Sequence, residues 1–348
     1  MRSATLSSRC LTVLAAGSFL RMPLAALPLQ AQEPYKVIDQ WKIGGTGSWD
    51  YLTADPAAHL LYVTHGPRVE VIDTTTGKPA GAITGMKGTH GIALDPSGKY
   101  GYISDGGSNA VVVFDRHSFA TFTTIPAGSN PDGIIYEPVT ATIWAFNGRD
   151  KSVSVIDISN NTVVATIPLP GKPEAPTVNG KGDVYDNIEN TNEIVKIDAK
   201  SKVIVATWKL TDCDSPSGAA IDTVHERLVA VCDGNKMAVV DAKSGKQIAT
   251  ASIGTGPDFA AFSPIRQLAF SSNGEGTLSV VDTAHGFKTI ETVPTQKGAR
   301  TMAYDSATDR IYLSTAQYGP TPAPTAATPR PRPAVIPDSF TVLVVGRK

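Results

Sequence analysis

Short runs of alternating apolar and polar residues recur along almost the whole chain, and an aspartate closes each run. The intervals between these aspartates are 42, 42, 41, 43 and 41 residues. Alternation with a period of two is typical of strands, and units of this length separated by Gly, Pro, Asn or Asp turns are typical of propeller blades. The pattern predicts an all-β fold, a β-propeller with four antiparallel strands per blade. The closing residues are Asp73, Asp115, Asp157, Asp198, Asp241 and Asp282.

The number of blades follows from the two ends of the repeat. A seventh unit begins near Gly298, and its third strand, at 340–345, is followed by only a few residues. Residues 35–43 have the spacing of an outer strand, because Ile43 precedes Asp50 by seven residues, as at five other junctions. Pairing these two segments would close the ring and remove open sheet edges. We therefore expect one domain, residues 35–348, of seven blades with the last closed by the N-terminal strand.

A proline-rich insertion at 316–338 separates the second and third strands of the seventh unit. Proline cannot donate a hydrogen bond to a ladder, so we expect an extended, polyproline-like loop. The topology places this loop on the same face as the mouth of the central channel, and we expect it to reach the entrance. The prolines are Pro320, Pro322, Pro324, Pro329, Pro331, Pro333 and Pro337.

Three second strands carry a recognisable tetrapeptide, each followed by a strand that ends in Asp. The sequences are YVTH at 62–65, YISD at 102–105 and WAFN at 144–147. Together with the period, they resemble the YVTN-repeat β-propeller family, in its YncE-like branch of exported bacterial proteins, over residues 35–348. The resemblance implies a periplasmic or exported seven-bladed propeller without a single established activity. Related propellers include lactone hydrolases and electron-transfer subunits, so the fold alone does not give the function.

The first 31 residues differ in composition from the rest of the chain. Arg2 and Arg9 precede a largely apolar stretch, and Ala31 offers a small residue for cleavage. This arrangement predicts a signal peptide at 1–31, and the apolar stretch is too short to remain as a membrane span. We therefore expect a periplasmic or secreted protein without a membrane span, and a monomer.

Charge and cysteine content narrow the possible partners. The formal net charge is −1, so the chain lacks the basic excess expected of a nucleic-acid-binding protein.

Without the signal peptide, Cys213 and Cys232 are the cysteines that remain. Both are predicted near one face of the fifth blade, and an oxidising compartment favours a disulfide between them. The alternative is two separate buried thiols.

One residue per blade is predicted to point towards the mouth of the central channel. These seven positions lie five residues before the end of each inner strand, and all are polar. A wet channel mouth tolerates polar residues, so hydration alone is one explanation; a binding site is the other. The predicted ring comprises Asp50, His90, Asp132, Glu174, Ser217, Asp258 and Arg300.

Chemistry at this ring depends on its carboxylates and its histidine. Crowded carboxylates repel one another, which raises a pKa or attracts a cation, and hard oxygen ligands suit Ca²⁺ or Mg²⁺. No cofactor is certain; if a divalent metal binds, its candidate ligands are Asp50, His90, Asp132, Glu174 and Asp258. We also expect a periphery of aromatic and polar residues that either contact a ligand or pack: Trp49, Tyr51, His65, Asp105 and Asn147.

Catalytic signatures are scarce in this sequence. It contains no Gly-x-Ser-x-Gly, His-Glu-x-x-His, phosphate-loop or dinucleotide motif. The favoured interpretation is therefore a non-enzymatic binding or scaffold protein that presents its acidic mouth to a small ligand, peptide or protein. The alternative is a lactonase-like hydrolase in which a metal polarises a carbonyl group and a ring residue activates water. A subunit that supports a redox partner is a weaker possibility.

Overall fold

The computed structural model describes Met1, residues 33–325, Thr328 and residues 331–347. The chain divides into two compact units, Met1–Glu33 and Pro34–Lys348. The predicted signal peptide, 1–31, lies outside the described residues apart from Met1. The second unit contains seven four-stranded antiparallel sheets, which confirms the predicted seven-bladed β-propeller. No helix within the described residues has the length and apolar character needed to cross a bilayer.

Each of the first three blades is a simple meander of four consecutive strands, the first innermost and the fourth outermost. Blade 1 contains β2 (Trp49–Asp55), β3 (Leu60–His65), β4 (Arg68–Asp73) and β5 (Lys78–Ile83). Blade 2 contains β6 (Thr89–Leu94), β7 (Tyr100–Asp105), β8 (Ala110–Asp115) and β9 (Thr121–Pro126). Blade 3 contains β10 (Pro131–Glu137), β11 (Thr142–Asn147), β12 (Ser152–Asp157) and β13 (Thr162–Pro168).

The next three blades repeat this order, with one short 3₁₀ turn, Glu189–Thr191, in blade 4. Blade 4 contains β14 (Pro173–Val178), β15 (Asp183–Ile188), β16 (Glu193–Asp198) and β17 (Val203–Lys209). Blade 5 contains β18 (Asp214–Asp222), β19 (Arg227–Asp233), β20 (Lys236–Asp241) and β21 (Gln247–Ser252). Blade 6 contains β22 (Pro257–Ser263), β23 (Leu268–Asn273), β24 (Thr277–Asp282) and β25 (Lys288–Pro294).

Blade 7 joins the two ends of the propeller. It contains β26 (Thr301–Asp305), β27 (Arg310–Thr315), β28 (Thr341–Gly346) and, as its outer strand, β1 (Lys36–Lys42). β1 pairs antiparallel with β28, with Trp41 opposite Val342. The inner strand of blade 7, β26, contacts the inner strands of blades 1 and 6. The predicted closure by the N-terminal strand is therefore confirmed.

The core lies between blades. One cluster combines Tyr62 and Val71 of blade 1 with Ile92 and Phe114 of blade 2. Neighbouring blades thus bury each other's apolar faces, which is why a single blade would not be stable alone. At the closure, Trp41 is 7% exposed and packs against Tyr312, with ring centroids 5.4 Å apart.

The six repeated aspartates have the structural role that turn chemistry predicts. Each accepts backbone N–H hydrogen bonds from residues two or three positions later; Asp115, for example, accepts from His117 and Ser118. This contact fixes the turn between the third and fourth strands. The other acceptors are Asp73, Asp157, Asp198, Asp241 and Asp282.

The insertion in blade 7 is paired at its base. Tyr318 forms an isolated antiparallel bridge with Val335, and Gly319 and Ile336 donate backbone hydrogen bonds to Ala334 and Gln317. The two arms of the expected extended loop are therefore joined at their base, where they have enough non-proline residues to pair.

A disulfide joins Cys213 and Cys232, whose Cα atoms lie 5.2 Å apart, as the cysteine positions predicted. Cys213 directly precedes β18, and Cys232 lies next to last in β19. The bridge therefore links the start of the inner strand of blade 5 to the end of its second strand.

Removing residues 35–43 should strongly destabilise the propeller, because β28 would become an open edge and the core would lose Trp41. Loss of this tryptophan alone should cost about 3–5 kcal/mol of unfolding free energy. Thermal unfolding of a chain that starts at Gly44 checks this, with a chain that starts at Glu33 as the control. Equal melting temperatures would contradict closure by β1.

Replacing both Cys213 and Cys232 by Ala should also lower stability, because the cross-link restricts the unfolded chain. The sequence separation of 19 residues gives about 3 kcal/mol by the chain-entropy relation. Denaturant unfolding of the double variant and of wild type with and without reductant measures this. A reductant that opens the bridge but leaves wild-type stability unchanged would refute the prediction.

Candidate functional site

The predicted ring residues lie where the inner strands begin, and the strand pairing there is irregular. In blade 1, Trp49 and Leu52 are paired with the second strand, but Asp50 and Tyr51 between them are not. The same break surrounds His90 and Asp132. Such bulges turn a side chain out of the regular ladder. Glu174, Ser217 and Asp258 occupy equivalent breaks, and Arg300 directly precedes β26.

Polar residues of the second strands hold these bulges in place. The Thr64 hydroxyl accepts a hydrogen bond from the backbone N–H of Asp50 and donates one to the carbonyl of Tyr51. The Ser104 hydroxyl accepts from Gly91 and donates to the carbonyl of Asp132 in the next blade. These side chains are third in the tetrapeptides YVTH and YISD, so the motif helps to set the geometry of the ring.

The ring opens into a cavity of about 480 Å³ at the channel mouth. Six of the seven predicted residues line it; His90 does not, but it contacts two that do. We call this cavity the acidic cup, because its lining holds six carboxylates. The lining includes Asp50, Asp132, Glu174, Ser217, Asp258 and Arg300 from the ring, and Lys172, Glu189, Ser215, Asp233 and Arg332 from other loops.

Two aromatic residues of the inner strands contact each other beside the cup. Tyr51 of blade 1 and Phe259 of blade 6 both follow a ring residue, and their ring centroids lie 5.3 Å apart. The equivalent position in blade 3 is Gly133, where a Cβ would lie 2.4 Å from the carbonyl oxygen of Glu174. The inner strands of blades 3 and 4 therefore approach too closely for a side chain at this position. Tyr51, Phe259 and Gly133 line a smaller cavity of about 70 Å³ among the inner strands.

A histidine lies between two aspartates on one side of the cup. His90 Nδ1 is 2.7 Å from Asp50 Oδ2 and 3.6 Å from Asp132 Oδ1. Candidate ligand atoms of the three residues lie within 4.8 Å of one another, which is close enough to surround one metal ion. The Oδ1 of Asp132 is buried and accepts no hydrogen bond from the described residues. Its nearest cationic group within the described residues is the imidazole of His90.

The other ring carboxylates have internal cations. Lys172 Nζ lies 2.6 Å from Glu174 Oε1 and 2.6 Å from Glu189 Oε2. Arg300 Nε lies 3.4 Å from Asp258 Oδ2. Because their charge is already partly neutralised, Glu174 and Asp258 are less suited to ligate a metal with the histidine group.

Burial dominates the acid strengths in the cup. It raises the pKa of Asp132 to about 6, with the negative charge of Asp50 adding to the effect. It raises the pKa of Glu174 to about 8 despite the contact with Lys172. Burial also raises the pKa of Asp50 and of Asp258, opposed by His90 and Arg300 respectively. These carboxyl groups therefore hold protons at a higher pH than isolated carboxyl groups do, and a bound cation would displace those protons.

Burial and the neighbouring carboxylates have opposing effects on the pKa of His90. Burial disfavours the imidazolium form, but the hydrogen bond with Asp50 and the charge of Asp132 outweigh it and raise the pKa of His90. His90 is thus a cation at a pH where an isolated histidine would be largely neutral.

A buried carboxyl group lies behind the cup. Asp186 of β15 is fully buried, and neither of its oxygens has a hydrogen bond of normal geometry within the described residues. The backbone N–H of Glu174 only partly favours its charged form, so burial and the charges of Glu174 and Asp132 raise the pKa of Asp186 well above its ordinary value. This carboxyl group contributes to the proton content of the region.

The predicted periphery separates into two groups. Trp49 packs against Phe340, with centroids 5.3 Å apart, and Tyr51 lines the cup. His65, Asp105 and Asn147 are at most 2% exposed and make local contacts. Their contacts are with Glu70, with the N–H groups of Lys87 and Gly88, and with Ser152 and Ser154, respectively. A binding role for these three residues stays a prediction.

Several groups of the cup were not predicted as part of the site. Lys172 precedes its ring residue by two positions and is the only charged residue at that position of the repeat, so a comparison of the units there could have found it. Tyr51 and Phe259 could have been found in the same way, because they follow ring residues at positions where the other blades have Gly, Ala or Thr. Glu189 lies in the 3₁₀ turn of blade 4, for which the repeat gave no signal.

Comparison with known proteins supports the fold alone. No family model and no curated protein matches the chain. A solved chain of Kuenenia stuttgartiensis hydrazine synthase is similar with a TM-score of 0.69 and 15% identity, covering 77% of this chain and 94% of that one. The structure of U3-55K is similar with a TM-score of 0.75 and 12% identity, covering 89% of this chain and 99% of that one.

The stability of the cation-free protein should fall as pH rises from about 5 to 8. Glu174 has a folded-state pKa of about 8, above its ordinary value of 4.5, so the folded state holds more protons across this range. The stabilisation is complete below the unfolded pKa and is lost as pH rises through the folded one. The same sign applies to Asp132, whose folded-state pKa is about 6.

Denaturant unfolding in chelator-containing buffers measures this pH dependence. Glu174→Gln should flatten the slope. Glu226→Gln is the control, since the pKa of Glu226 is lowered by Lys243 and Lys181 and the group is ionised in both states above pH 5. An unchanged slope for Glu174→Gln would show that this carboxyl group is not protonated in the folded protein.

Proposed function

We propose that this chain is an exported binding protein of the YVTN-repeat type whose acidic cup receives a cationic group of a small ligand, peptide or protein partner. The observation that carries the proposal is a cavity of about 480 Å³ at the channel mouth, lined by one ring residue from each of six blades. The fold is compatible with binding, and propellers commonly bind ligands at this mouth.

The electrostatics of the cup favour a positively charged occupant. The side chains of Asp50, Asp132 and Glu174 are between 13% and 22% exposed, so they remain accessible while being partly desolvated. Partial desolvation strengthens their attraction for a cation relative to the same groups in water.

The disulfide supports the assignment to an exported protein. A bridge between buried cysteines persists in an oxidising compartment and is rare in the cytosol. The tetrapeptides and the 42-residue period support the proposed relationship to YVTN-repeat propellers.

A metal-assisted, lactonase-like hydrolase is the second candidate, and the grouping of Asp50, His90 and Asp132 favours it. In such an enzyme a divalent ion held by these residues would polarise a carbonyl group. Of the five ligands expected from the sequence, these three are brought within reach of one ion; Ca²⁺ or Mg²⁺ would prefer the carboxylates, and a transition metal would also accept the imidazole.

Binding of a cation should release protons and become tighter as pH rises from 6 to 8.5, because the cation competes with protons on the cup carboxylates. Calorimetric titration with CaCl₂, MgCl₂ and lysinamide, in buffers of different ionisation enthalpy, measures both effects. Asp132→Asn should weaken binding by about 1.5 kcal/mol or more, roughly tenfold in Kd.

Glu226→Gln, a charge loss outside the cup, should leave the affinity unchanged. If none of the three probes binds between pH 6 and 8.5, the proposed function is wrong. Elemental analysis of the purified protein separates the two candidates: stoichiometric divalent metal that is lost in His90→Ala favours the hydrolase.

A further inference from the structure

A second cavity adjoins the acidic cup on the same face and has the opposite chemical character. It encloses about 430 Å³. Trp49, Tyr318 and Val335 give it an apolar wall, and Lys297, Arg300 and Arg332 give it positive charge. None of its lining residues is acidic. We call this cavity the cationic pocket.

The aromatic wall of the cationic pocket packs against further aromatic rings. The ring of Trp49 lies 6.2 Å from Tyr318 and 5.3 Å from Phe340, and Phe340 stacks on His65 at 4.1 Å. Gly298, with a φ of +85°, permits the approach of Tyr318, because a Cβ there would lie 2.3 Å from the tyrosine hydroxyl oxygen. Trp49 and Tyr318 both remain partly exposed, so a flat apolar group can pack against them.

The positive charges of this pocket are available to a ligand. Within the described residues, Lys297 and Arg332 form no ion pair, and Arg300 has only the 3.4 Å contact with Asp258 while its side chain is 49% exposed. A guanidinium group presents paired N–H donors that match a carboxylate. An anionic group attached to an apolar body therefore fits the cationic pocket.

Arg300 and Arg332 line both cavities, so the two cavities meet at these arginines. We infer that the ligand is a small amphoteric molecule that spans both: its ammonium group lies in the acidic cup, its carboxylate lies at the arginines, and its apolar side chain packs on Trp49 and Tyr318. A short peptide with a basic residue followed by an aromatic C-terminal residue has this chemistry. The inference rests on the proposed function, because it assigns the cationic end of the ligand to the acidic cup.

Three probes separate the two cavities. Lysinamide carries only the cationic end, 3-phenylpropionate carries only the apolar carboxylate, and the dipeptide Lys-Phe carries both. Lys-Phe amide, which lacks the carboxylate, is the matched control for the dipeptide. Calorimetric or fluorescence titration of the purified protein, with Trp49 as a reporter of the apolar wall, gives the affinities.

Arg332→Gln is the test variant, because Arg332 is exposed and its replacement should leave the propeller folded. Lys288→Gln, at the start of β25 on the opposite side of blade 6, is the control with the same change of charge. We expect Lys-Phe to bind about tenfold or more tightly than its amide, as one charge-assisted hydrogen-bonded contact predicts. Arg332→Gln should reduce this difference and weaken 3-phenylpropionate. Because Arg332 also lines the acidic cup, lysinamide should bind to the variant at least as tightly as to the wild type.

The outcomes distinguish the two proposals. If lysinamide binds but Lys-Phe and its amide bind equally, or if Arg332→Gln leaves Lys-Phe and 3-phenylpropionate unaffected, the cationic pocket is not a ligand subsite and the inference fails alone. If 3-phenylpropionate binds in an Arg332-dependent manner but lysinamide and Lys-Phe amide do not bind, the proposed role of the acidic cup fails. In that case the spanning ligand fails with it.

Discussion

The close approach of seven inner strands around one axis is the constraint on which the rest of this structure depends. At Gly133 and Gly218 the neighbouring inner strands leave no room for a Cβ, and Tyr51 of blade 1 contacts Phe259 of blade 6. Strand pairing is interrupted where the inner strands begin, and a polar ring residue lies at that point. The ring positions therefore follow from the arrangement of the inner strands.

Crowding also determines the electrostatics. Carboxyl groups that converge on a partly desolvated space cannot all ionise without cost, and the raised pKa values of Asp132 and Glu174 are the consequence. Lys172, Arg300 and His90 relieve part of this repulsion through their contacts with Glu174, Asp258 and Asp50. The protonation of these carboxyl groups is thus linked to the stability of the fold.

The fold could be predicted from the sequence because each repeat of about 42 residues has the same pattern of strands and turns. The ring positions followed from the equivalence of the units, and the disulfide followed from the positions of Cys213 and Cys232. What differs between blades could not be obtained in this way. The contact between Tyr51 and Phe259 is an example, because both residues depart from the repeat and they lie in blades that are not neighbours in the sequence. Asp105 and Asn147 lie at the expected strand ends, but whether they face a ligand or a neighbouring loop depends on local packing.

The departures from symmetry also give the mouth an uneven distribution of charge and apolar surface. A ring of equivalent residues would offer a ligand the same contact from every side, and so could attract charge without orienting it. Here the carboxylates of blades 1, 3 and 4 face the cationic residues of blade 7 and its insertion, and the apolar wall of Trp49 and Tyr318 lies beside those cations. Charge of both signs and an apolar surface in fixed order can discriminate the two ends of a molecule. The insertion interrupts the repeat, and it contributes Arg332 and Tyr318 to this arrangement. Residues outside the repeat are therefore needed to form the two cavities.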